Sequence, residues 1–141
     1  MEALVVSSDS RRLDVDAIHA FLGGESPWAR GIPRATLERA LANSLCFGGY
    51  LAGRQVAFAR VITDRATFAN LVDVFVLPGH RGRGYAARLM EAIVAHPDLA
   101  GLRRFTLATS SAHGLYARYG FTALNRPDLH MERYDPHAYV A

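Results

Sequence analysis

The chain has 141 residues, of which 50% are hydrophobic and 21% charged, with a formal net charge of +3. That is the size of one domain with one continuous core, and the composition excludes a disordered or fibrous chain. A single cysteine, Cys46, excludes an intrachain disulfide framework, and no run approaches the roughly 20 apolar residues of a membrane span.

In chain order, residues 3–6 read as a short strand. Residues 13–22 read as a helix, with Asp14 and Asp16 near its start and Gly23-Gly24 stopping it. Pro27, Gly31 and Pro33 make a loop that carries Trp28, and a second helix starts at Pro33 or Arg34 with Leu37, Ala40 and Leu41 on one side. The runs 45–51, 55–62 and 67–77 are apolar, β-branched or aromatic, and the spacers between them suit a three-strand meander. The third run is almost continuously apolar and reads as a central strand buried on both faces.

Pro78-Gly79-His80 ends that strand. Arg81-Gly82-Arg83-Gly84 then opens a helix in which Ala86, Leu89, Met90, Ile93 and Val94 share one face. Residues 104–109 read as a strand, followed by a short helix capped by Ser110 or Ser111 that runs to Tyr119, with Gly120 after its last turn. Residues 121–124 and 129–133 are candidate final strands. The whole predicts an α/β (α+β) fold over residues 1–141. Its mixed, mostly antiparallel central sheet has about 6–7 strands, with helices on both faces.

The strand–glycine loop–helix is the sharpest chemical signal. Unpaired first-turn N–H groups carry partial positive charge, glycines admit an anion to the backbone, and Arg81 and Arg83 flank it. The pattern predicts a phosphate or pyrophosphate site. A P-loop would need Gly-Lys-Ser/Thr, which is absent. Gly82, Gly84 and Ala87 fit a dinucleotide fingerprint by spacing. However, the region about 20 residues further on, Gly101-Leu102-Arg103-Arg104, offers no acid for a ribose.

Two motifs in the right order resemble the GNAT N-acetyltransferase superfamily, and the order of elements agrees across nearly the whole chain. Arg81, Gly84 and Ala86 match its Arg/Gln-x-x-Gly-x-Gly/Ala motif, and Leu115-Tyr116-Ala117-Arg118-Tyr119-Gly120-Phe121 matches its Leu-Tyr-x-x-x-Gly-Phe. The resemblance implies an acyl-CoA N-acyltransferase fold and transfer of acetyl from acetyl-CoA to a primary amine of a small molecule, peptide or protein. It also implies that backbone at Val74, Phe75 and Val76 holds the pantetheine arm and acetyl carbonyl. The loop Arg81, Gly82, Arg83, Gly84, Tyr85 and Ala86 would cradle the pyrophosphate, and Tyr116 would protonate the leaving thiolate. Thr109 stands where many members have a cofactor-contacting asparagine. Arg104 stands where some have a glutamate base, so the base is unassigned. A non-catalytic acyl-CoA-binding module is the alternative.

Single residues carry further expectations. Asp73, a carboxylate in an apolar strand, is either a general base or an ion-pair partner of Arg60. Trp28 either packs or walls a substrate pocket. His113 lies one helical turn before Tyr116. None of the six histidines stands at metal-ligand spacing, so no metal is expected. No basic stripe interleaved with aromatics points to nucleic acid. The segment Met1–Ser7 lacks a basic region ahead of an apolar one, so a cytoplasmic protein without membrane attachment is expected. A homodimer is compatible with the resemblance.

Overall fold

A computed structural model describes residues 3–139. Strands β1 (Val5–Ser7), β2 (Leu45–Leu51), β3 (Arg54–Thr63), β4 (Phe68–Val76) and β5 (Arg104–Leu107) form one sheet in the order β1-β2-β3-β4-β5. The first four are antiparallel neighbours and β5 joins β4 in parallel. Helices α1 (Val15–Gly24) and α2 (Arg34–Ala42) cover one face, while α3 (Tyr85–Ala95) and α4 (His113–Ala117) cover the other.

Local chemistry accounts for the elements. The Asp14 carboxylate accepts from the Ala17 N–H at 3.0 Å and caps α1. Leu51 and Arg54 flank a two-residue turn in which Ala52 and Gly53 both take positive φ, the geometry that matches the twist of a hairpin. The β3–β4 turn is organised by Asp64, whose carboxylate accepts from the N–H groups of Ala66, Thr67 and Phe68 and from the Thr67 hydroxyl. Those donors hold its pKa well below the usual carboxylate range.

The period of two along the strands sorts the core into two layers. Cys46, Phe58 and Phe75 point to α1 and α2, where they meet Ile18, Phe21, Leu22, Leu37 and Leu41. Phe47, Ala57, Ala59, Val61 and Leu71 point to α3, where they meet Leu89, Met90 and Ile93. Cys46 is a buried core thiol, pushed up to about 11 chiefly by burial. In β4, alternate residues from Ala69 to Phe75 are buried and those between them half-buried, so the strand is less enclosed than its apolar run suggested.

The sheet has five strands among the described residues, not 6–7. Residues 121–124 and 129–133 form no strand. From Thr122 to Tyr139 every described hydrogen bond is local to the segment, and Pro127–Leu129 makes a single 3-10 turn. Strand propensity that finds no hydrogen-bonded partner leaves irregular chain. Val94 also departs from its assigned inner face and is 47% exposed. Helix α4 is shorter than expected, and its start is bridged by the Thr109 hydroxyl, which accepts from the Ala112 N–H at 3.0 Å, rather than by Ser110 or Ser111. No described helix is long and apolar enough to cross a membrane.

Phe58 is fully buried between the sheet and the α1–α2 layer. Phe58→Ala should therefore lower unfolding stability by about 3–5 kcal/mol, read from urea denaturation with the m-value unchanged.

Candidate functional site

The site begins with one extra residue in β4. Between the pairs Phe58↔Phe75 and Arg60↔Val72, β3 spans one intervening residue and β4 spans two. The surplus is absorbed at Asp73, which takes φ 59°. Aspartate is among the few non-glycine residues that tolerate this left-handed region. Pairing of β4 with β5 stops at Leu71↔Leu107, just before the bulge. Beyond it, the β4 backbone from Asp73 to Val76 has no strand on its β5 side among the described residues, and the sheet opens there.

A cavity of about 790 Å³ occupies this opening. Its walls bring together Val74, Phe75 and Val76 of β4; Arg81, Gly82, Gly84, Tyr85 and Ala86 of the loop and α3; and Tyr116 of α4. These residues are distant in sequence, and the splay of β4 from β5 collects them. Two candidates lie elsewhere. Arg83 is exposed and is not part of the wall. Thr109 caps α4 and lines a neighbouring groove.

At the loop end, α3 starts at Gly84 with φ 78° and no side-chain cap, so its first-turn N–H groups are available. Gly82 also has φ 78°. A Cβ at either glycine would meet nothing within 4 Å. Packing therefore does not demand glycine here. Positive φ does, together with the open space beside the backbone, which suits an anion approaching the helix N-terminus. Arg81 Nε donates to the Val76 carbonyl at 2.9 Å, which ties the loop to the end of β4. The side chain of Tyr85 packs inward against Leu4 and Val56, which leaves its backbone as the part that faces the cavity.

At the other end stands Tyr116, 8% exposed, with its ring edge-on to Phe121 at 6.2 Å. Burial pushes its pKa above the ordinary phenol value, so the hydroxyl keeps its proton at neutral pH. Phe21, Glu25, Pro27 and Trp28 form the wall facing the loop before α2. Phe21 stacks on Phe75 at 4.2 Å, and Trp28 leans on Phe21 at 6.4 Å while remaining 50% exposed.

Asp73 itself is not a wall residue. Both carboxylate oxygens are engaged: Trp28 Nε1 donates to Oδ1 at 2.8 Å and Arg60 Nε donates to Oδ2 at 2.8 Å. The ion pair is largely buried, with side-chain exposures of 14% for Arg60 and 6% for Asp73. Of the two expectations for Asp73, the geometry matches the ion pair, and it adds a tether to Trp28.

Glu25 and His80 are among the wall residues that sequence reasoning missed. Glu25 is the one carboxylate among the described residues lining the cavity. His80 lines it too, and its Nδ1 is buried without a hydrogen-bond partner among the described residues. The position of His80 directly before Arg81 was the available signal. No group of three or more His, Cys, Asp or Glu able to hold a metal occurs among the described residues.

Comparison with known proteins agrees with this architecture. The family model for the acetyltransferase (GNAT) domain matches residues 42–123. A Gibberella zeae protein assigned as an acetyltransferase is 36% identical over 137 residues, covering 81% of this chain and 76% of the relative. A crystal structure from Xanthomonas campestris pv. campestris, of a protein assigned to the GNAT acetyltransferases, is 60% identical. It covers 100% of this chain and 99% of that one, with a TM-score of 0.96. A Clostridium acetobutylicum protein assigned as an acetyltransferase, solved with acetyl-CoA, shares the fold at 14% identity. Its TM-score is 0.66, with 95% of this chain and 96% of that one covered.

Asp73→Ala leaves the Arg60 guanidinium buried and unpaired and frees Trp28. It should cost about 3–5 kcal/mol of stability and shift the emission of the single tryptophan, read by denaturation and fluorescence.

Proposed function

Because the chain belongs to the GNAT acetyltransferase family, we propose that the cavity binds acetyl-CoA and passes its acetyl group directly to a primary amine. The acceptor amine is carried by a small molecule or by a peptide or protein, and the domain spans residues 1–141. One observation carries this reading: the gap between β4 and β5 runs unbroken from the uncapped start of α3 to Tyr116. An anion-binding end, a stretch of unpaired strand backbone and a buried phenol lie along a single path. An extended thioester with a pyrophosphate at one end fits that path.

In this reading the pyrophosphate rests on the Gly82–Ala86 backbone, with Arg81 beside it. The pantetheine arm lies along Val74–Val76 as an added strand would. A free backbone N–H there stabilises the charge that grows on the thioester oxygen as the amine attacks. The new C–N bond forms and the tetrahedral centre collapses with cleavage of the C–S bond. Tyr116 then donates its proton to the departing thiolate. The attacking amine must lose a proton, and Glu25, on the cavity wall and open to solvent, accepts it directly or through water. Asp73 is a positioning residue that fixes Trp28 and, through it, the acceptor side of the cavity.

Calorimetric titration with acetyl-CoA, with NAD as control, should show micromolar binding of the thioester alone. Gly84→Val should abolish that binding, because the side chain occupies the approach and opposes φ 78°. Retained binding would sink the cradle. Cofactor binding without amine-dependent thiol release would make the protein an acyl-CoA-binding module.

Tyr116→Phe should lower kcat by about a hundredfold while leaving cofactor affinity within about twofold. The wild-type kcat should rise with acceptor deprotonation and fall only above pH 10, since burial raises Tyr116 above its ordinary 10.0. Stopped assays across pH should show this alkaline fall missing in the variant.

A further inference from the structure

The α1–α2 loop gives the cavity a wall that is held from behind. Ser26 is fully buried. Its hydroxyl donates to the Leu22 carbonyl at 2.6 Å and accepts from the Ala29 N–H at 3.1 Å. The Gly31 N–H closes the loop onto the Gly23 carbonyl at 2.8 Å. With Ser26 turned inward, Glu25, Pro27 and Trp28 on either side of it stay exposed and line the cavity. A surface set in advance loses little freedom when a ligand arrives.

Trp28 is 50% exposed, although its one polar atom is already engaged: Nε1 donates to Asp73 Oδ1 at 2.8 Å. The indole therefore offers a ligand its ring face and not a hydrogen bond. That face is negative, and Trp is the best aromatic partner for a cation. An N–H bonded to a carboxylate polarises the ring further in the same sense. Arg60 balances Asp73 from the other oxygen, so the buried carboxylate does not compete for the cation.

Charge is divided around the same cavity. His80 and Arg81 stand at the glycine loop and Arg118 on α4, which suits an anionic thioester. The α1–α2 loop contributes Glu25 to the wall and no basic residue among the described residues. Glu25 lies three residues before Trp28 and is in no ion pair among the described residues. A neutral, apolar acceptor would leave this carboxylate unanswered, whereas a cation is drawn in by the carboxylate and held by the ring.

Resting on the acetyl-transfer reading above, we propose that the acceptor is a primary amine carrying a second positive charge, which lies on the Trp28 ring face. The class is that of diamines and of amines with an ammonium or guanidinium group a few carbons away. The attacking nitrogen forms the amide bond and loses its proton to Glu25. The thiolate takes its proton from Tyr116, and the second cation is unchanged. Trp28 is thus a specificity-determining residue, and Asp73 sets the orientation of its ring.

The probes are primary amines bearing a trimethylammonium group a few carbons away, each set against the neutral amine with a tert-butyl group in its place. The two groups have nearly the same shape, and neither can itself be acetylated. Coenzyme A release, counted per neutral primary amine, should give the charged member a kcat/KM higher by about tenfold. Trp28→Leu should remove that preference, and Trp28→Phe should keep part of it. Trp28 is the single tryptophan, so its emission reports the ring directly. With coenzyme A present, the charged probe should change that emission saturably and the neutral one should not. Equal kcat/KM for the two members, or an emission that answers both alike, would overturn the proposal. If no amine releases thiol, acetyl transfer falls, and the emission titration by itself decides for or against a cation on Trp28.

Discussion

The extra residue in β4 is the constraint on which the rest of the structure depends. A strand paired without interruption would have carried β5 alongside it to Val76 and closed the sheet. The surplus at Asp73 instead turns the strand, ends the β4–β5 ladder at Leu71 and Leu107, and exposes backbone in the middle of the molecule. Left-handed φ at a non-glycine residue is costly and persists only where the surroundings over-determine it. Here Arg60 from β3 and Trp28 from the α1–α2 loop both hold the carboxylate, and the register with β3 holds the backbone. The same group that makes the bulge tolerable also fixes the aromatic wall of the cavity.

That arrangement explains why a carboxylate is retained in a core strand. A buried ion pair adds little stability compared with a well-packed apolar pair, but removing one partner is expensive. Its effect is geometric. Phe75, next but one to Asp73, stacks on Phe21, and Trp28 leans on Phe21 in turn. The opening of the sheet and the position of the α1–α2 loop are therefore coupled through three aromatic rings and one carboxylate. The glycine loop is coupled to the same strand end by the bond from Arg81 to the Val76 carbonyl. Both ends of the cavity are thus referenced to β4.

The edge of β5 is the complementary case. The splay that creates the cavity leaves β5 as a four-residue strand paired on one side only among the described residues, with Val94 of α3 exposed beside it. A short edge next to an apolar groove is stable only when something lies along it or when charge discourages wrong partners. Arg103 and Arg104 line the groove at that edge and serve the second purpose.

Much of this was legible in the sequence where the determinant is local. Residues 81–86 alone specify a glycine turn into a helix start, and the apolar, β-branched and aromatic runs along residues 45–77 specify a meander of strands. The Leu115–Phe121 pattern places a tyrosine at the end of a short helix. These depend on backbone preference and side-chain period, which neighbouring residues set. The structure decided what depends on residues far apart. Asp73 and Trp28 are 45 positions apart, so no local pattern shows that one holds the other. Glu25 and His80 acquire meaning only once the cavity exists around them. The C-terminal residues have the composition of strands, yet a strand is a relation between two segments, and among the described residues they pair with none. Composition settled what each segment prefers, and tertiary packing settled which preferences find a partner.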